Sequence, residues 1–73
     1  MRYGIYFVNA EDIDINDEDF GFDMVREAAN DSWQGNDTHE LSMALINAIN
    51  EDDVNTENGY IFMVDLFQGI ILN

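Results

Sequence analysis

Residues 60–67, Tyr-Ile-Phe-Met-Val-Asp-Leu-Phe, are apolar at every position except Asp65. The run is rich in aromatic and β-branched residues, and it follows Asn58-Gly59, a strong turn signal. It reads as a strand, and its near-continuous apolar character predicts a central place in a sheet. Beyond it, Gln68-Gly69 reads as a two-residue turn or a bulge, and Ile70 to Leu72 as a short last strand.

A partner strand lies near the other end of the chain. Arg2 to Val8 (RYGIYFV) places Tyr3, Ile5 and Phe7 on one face and Tyr6 and Val8 on the other. Between the strands the apolar spacing turns helical. Leu41, Ala44, Leu45, Ala48 and Ile49 form one continuous stripe, preceded by Asp37 and Glu40 in a capping-box pattern. Met43 and Ile46 fall off that stripe, where the sheet, a second copy or a partner would meet them. A homodimer is therefore compatible with the sequence. Met24, Val25, Ala28 and Ala29 mark a shorter helix with Asp23 as the expected N-cap. Asn30 to Asn36 reads as the loop ending that helix, with Trp33 as an anchor. Phe20 and Phe22 are expected to pin the preceding loop to the core, and Ile13 and Ile15 to form a short edge extension. The order β-α-α-β-(β) predicts an α+β fold over residues 1–73 as a single domain. Its small antiparallel sheet would have two to three strands, with both helices packed on one face.

The charge is lopsided. Sixteen acids face two arginines and no lysine, a formal net charge of −14 on 73 residues. Like charges on one compact body repel and destabilise the fold, so retained imbalance points to use. A/T-rich codons favour Asn and Ile, which are abundant here, and would also raise lysine. The missing lysine therefore reads as selection against positive charge. The same abundance of Asn and Ile fits halophilic adaptation poorly. A domain of this length has a radius of gyration of roughly 11 Å and a diameter near ~30 Å. Fourteen charges correspond to about 24 Å of duplex DNA, which carries one per ~1.7 Å.

Composition narrows the function classes. At 47% hydrophobic residues, with five Phe, three Tyr and one Trp, the chain is too apolar for a disordered acidic tail. No cysteine is present, so disulfides and thiolate metal sites are excluded. The stretch MRYGIYFVNAED lacks an apolar signal-peptide core, and no apolar run approaches a membrane span. A cytoplasmic protein is expected, with no membrane partner. An anionic surface disfavours direct contact with nucleic acid or anionic lipid.

The acids concentrate in two segments: Glu11, Asp12, Asp14, Asp17, Glu18, Asp19 and Asp23, then Glu51, Asp52, Asp53 and Glu57. Asp12, Asp14 and Asn16 match the first ligand positions of an EF-hand loop. Asp17, Asp19 and Asp23 then stand where the pattern needs Gly, an aliphatic residue and Glu. A small calcium-binding module is thus an alternative that fails at its diagnostic positions, and no metal or other cofactor is expected. No carboxylate pair is set apart for acid–base work, and His39 stands alone without a nucleophile pattern. Enzyme activity is not expected. Arg2 and Arg26 should neutralise neighbouring acids, and Asp65 should face an edge or pair with one of them.

By size, charge and lack of lysine, the whole chain resembles the small acidic DNA-mimic inhibitors of bacteriophages and other mobile elements. These include anti-CRISPR, anti-restriction and DNA-glycosylase-inhibitor proteins. The resemblance carries over no individual residue. It implies a cytoplasmic protein in a bacterial host that occupies the nucleic-acid-binding groove of a basic partner. That partner would be a CRISPR effector first, then a restriction enzyme or another nuclease. The two acidic segments would pair with its Lys and Arg side chains. The alternative partner is a basic nuclease toxin, with this chain as its immunity or antitoxin protein.

Overall fold

Two strands, β1 (Tyr3–Asn9) and β3 (Gly59–Asp65), pair antiparallel along their full length, Tyr3 opposite Asp65 and Asn9 opposite Gly59. They are the two apolar runs of the sequence, and they form the centre of the sheet. The computed structural model describes residues 1–73. It adds β4 (Ile70–Ile71) along the outer side of β3, as expected, and β2 (Asp31–Gly35) along the outer side of β1. The sheet order is β2-β1-β3-β4, antiparallel throughout, and the class is α+β.

Two particulars of the expected architecture are corrected. The sheet has four strands, because residues 31–35 form β2 rather than a loop. Asparagine side chains tie both ends of this strand to β1. Asn9 N–H donates to Asn30 Oδ1 at 2.9 Å, and Arg2 N–H donates to Asn36 Oδ1 at 3.0 Å. The second correction concerns the helices, α1 (Phe22–Ala28) and α2 (Thr38–Asn50), which lie on opposite faces. Val25 of α1 packs with Tyr6, Val8, Ile13, Phe62 and Val64. Ala48 of α2 packs with Phe7 and Val54, flanked by Trp33, Ile49 and Ile61. Alternation along β1 puts Phe7 opposite to Tyr6 and Val8. Every residue from Gly4 to Val8 is buried, so both faces of β1 need cover, and one helix covers each.

The helix boundaries follow from packing. Gly21, not Asp23, is the N-cap of α1. The Phe22 ring meets Tyr6 edge-on at 5.6 Å, drawing the first turn onto the sheet one residue before Asp23. Phe20 stacks tilted on Phe62 at 5.7 Å, so the aromatic pair does pin the loop. Ile13 is buried and Ile15 exposed, without the expected edge extension. Asp37 caps α2, accepting from His39 N–H at 2.8 Å, while the reciprocal arm from Glu40 does not form. Met43 and Ile46 are exposed on the outside of α2. No helix is long and apolar enough to cross a membrane.

Candidate functional site

The topology gathers acids from separate parts of the sequence at one end of the sheet. A 3-10 turn, Ala10–Asp12, leaves β1 after Asn9 and carries Glu11 and Asp12. A second, Thr56–Asn58, enters β3 at Gly59 and carries Glu57. Asn9 and Gly59 are register partners, so the two turns lie side by side. Asn9, Ala10, Glu11 and Asn58 line a shallow hollow of about 340 Å³ between them. Asp31 begins β2 opposite Phe7, and α2 returns to the same end to deliver Glu51, Asp52 and Asp53. Seven carboxylates thus share this end, all on exposed residues: Glu11, Asp12, Asp31, Glu51, Asp52, Asp53 and Glu57.

The end of α2 is held by a full Schellman motif. Asp53 N–H donates to Ala48 O at 2.9 Å and Asp52 N–H to Ile49 O at 3.1 Å. Buried Val54 then locks the turn against Phe7 and Ala48. Asp52 occupies the left-handed position with φ 60°, where glycine is least strained. It is the only non-glycine residue with positive φ. Three consecutive acids also follow the negative end of the helix dipole, where cations are favoured. Local stability would select glycine and lysine here; the chain has three acids.

Neither arginine pairs with an acid of this end. Arg2 lies at the opposite end, 3.5 Å from Asp65 and 5.4 Å from the centre of the Tyr3 ring. Arg26 turns back along α1 to Asp23 at 3.0 Å and lies 5.3 Å from the centre of the Phe22 ring. Both arginines pair with acids, as the sequence predicts. Asp23 is thereby the one candidate acid of the first segment that is already neutralised.

The remaining acids of that segment lie elsewhere. Asp14, Asp17, Glu18 and Asp19 ride on the exposed loop between the first 3-10 turn and α1. That loop is anchored on the α1 side of the sheet by Ile13 and Phe20. Asp14 Oδ1 accepts from Asn16 N–H at 2.9 Å, and Asp17 Oδ1 from Asp19 N–H at 2.8 Å. These carboxylates shape local turns, and no group of three acidic or histidine side chains is arranged to hold a metal ion. The structure therefore joins Glu11 and Asp12 to the second acidic segment, while Asp14, Asp17, Glu18 and Asp19 follow on the loop that runs along the α1 flank of the sheet. Asp31 is the site residue that the sequence concealed. Its place depends on a strand pairing that residues 31–35 do not announce.

Asp31, Glu51 and Asp53 also rim a groove of about 570 Å³ between β2 and α2. Its apolar wall is Trp33 with Ala44 and Ala48, and Asn47 completes the lining. No family model, curated protein or solved structure matches this chain.

Proposed function

We propose that this protein is an acidic DNA-mimic inhibitor acting in the bacterial cytoplasm. It occupies the nucleic-acid-binding groove of a host defence protein and blocks DNA binding without catalysis or cofactor. A CRISPR effector is the first candidate target and a restriction enzyme or other nuclease the next. The observation that carries this reading is the acidic end, whose carboxylates pair with neither arginine. Its exposed carboxylates come from both turns beside the central strands, from β2 and from the end of α2. At the end of α2, Glu51 to Asp53 stand where the helix dipole opposes them, and at Asp52 the backbone conformation does so too.

Shape and charge density support the same reading. The molecule is a slab of 32 × 28 × 17 Å. Fourteen net charges along its 32 Å length amount to one per roughly 2.3 Å, against one per ~1.7 Å of duplex. Carboxylates on such a face would meet target Lys and Arg side chains in charge-assisted hydrogen bonds, and steering would speed association.

Affinity capture tests the proposal. The immobilised protein is exposed to bacterial lysate at low salt and eluted with duplex DNA. The expected eluate contains a nucleic-acid-binding protein that a variant with Glu51, Asp53 and Glu57 changed to Lys no longer retains. Capture that salt releases and DNA does not would contradict mimicry.

A further inference from the structure

We propose that the groove between β2 and α2 is a pocket for one arginine side chain of the basic partner, with Trp33 as its stacking wall. The inference rests on the mimicry reading and gives one part of the acidic end a particular task. The pocket exists because α2 presents alanine at 44 and 48 where it passes the edge strand. Larger residues there would fill the space beside Trp33. The indole, half-buried, packs against the Phe7, Ala48 and Val54 cluster, so the wall is held in place.

The lining selects the occupant by chemistry. Asp31, Glu51 and Asp53 favour a cationic occupant, and neither arginine of the chain pairs with them. The aromatic wall favours a flat cation. A guanidinium stacks on an indole face and keeps its in-plane donors free for surrounding carboxylates. A lysine ammonium is a compact, strongly hydrated charge that gains less from the ring. Ala44 and Ala48 suit the methylene stem of the same side chain. Carboxylates anywhere on the surface already favour Arg through bidentate hydrogen bonds; the groove adds an aromatic wall, so filling it should reduce the preference.

Trp33 is the only tryptophan, so its fluorescence reports on the groove directly. The probes are octa-arginine and octa-lysine amides, titrated at 0.15 M salt. Octa-arginine is expected to change Trp33 emission saturably, at about fivefold lower concentration than octa-lysine. Ala44→Leu fills the groove without altering charge and should raise the octa-arginine midpoint about tenfold, with the fold checked by circular dichroism. The triple variant D31N/E51Q/D53N should do the same, whereas D17N/E18Q/D19N, equal in charge change, should shift the midpoint less than about threefold. Equal response to both peptides, or an equal loss from both triple variants, would overturn the pocket. Ala44→Leu folding normally and binding as before would do so too. Arginine selectivity can fail while DNA still elutes the captured partner, so the two proposals fall separately.

Discussion

Asp65, buried in the last position of β3, faces Arg2 at 3.5 Å and closes the end of the sheet opposite the acidic cluster. Its Oδ1 accepts from Phe67 N–H at 2.9 Å and Gln68 N–H at 3.2 Å, and its carbonyl accepts from Gly69 N–H at 2.8 Å. One acid thus neutralises an arginine and builds the turn into β4. Asp65→Ala removes both functions and should cost about 2–3 kcal/mol. Asp65→Asn keeps the turn acceptor and should cost less, as should Arg2→Ala, whose side chain is half exposed. Urea unfolding of the three variants checks the order.

Asp52 offers the reverse case. Asp52→Gly preserves both Schellman hydrogen bonds, relieves the left-handed strain at φ 60°, and removes a negative charge from the helix C-terminus. We expect a gain of about 0.5–1 kcal/mol, a few degrees in Tm. The same variant should bind the partner less well, placing stability and charge in opposition at one residue.

Gly59 marks a close approach between the central strands. A Cβ there would sit 2.5 Å from the Phe7 ring and 2.9 Å from Val8 O. The carbonyl cannot give way without disturbing the β1–β3 ladder. Gly59→Ala should therefore destabilise by about 1–3 kcal/mol in a denaturation experiment.

Salt should stabilise the whole domain. Two arginines leave fourteen negative charges uncompensated, and screening relieves their repulsion within a Debye length of about 10 Å at 0.1 M. Tm should rise as salt increases from 10 mM to 0.3 M, measured by circular dichroism. A Tm independent of salt would contradict a crowded acidic surface.

Much of this architecture is legible in the residues themselves. The two apolar runs become β1 and β3, and the helical stripe from Leu41 to Ile49 becomes α2, because burial of contiguous apolar surface leaves little choice. β2 is hidden because an edge strand with one large apolar side chain, Trp33, carries almost no pattern. Two asparagines outside it secure the pairing. The split of the helices across the sheet is implicit in β1, apolar on both faces, but the order of elements alone suggests a single covered face. The site is the least legible part. Glu11, Asp31 and Glu57 come to one end of the sheet only through strand register, so a count of acids along the chain does not reveal that they share it with Glu51 to Asp53.

Competition for DNA by the captured partner tests the central claim most directly. Fluorescence anisotropy would follow displacement of a labelled duplex at 0.15 M salt. The acidic end predicts that D31N/E51Q/D53N/E57Q raises the inhibitory concentration at least about tenfold with its fold intact. The flank variant D14N/D17N/E18Q/D19N, with the same loss of charge, should stay within about threefold of the original. Displacement unaffected by the first set, or weakened equally by both, would contradict a binding site at the acidic end of the sheet.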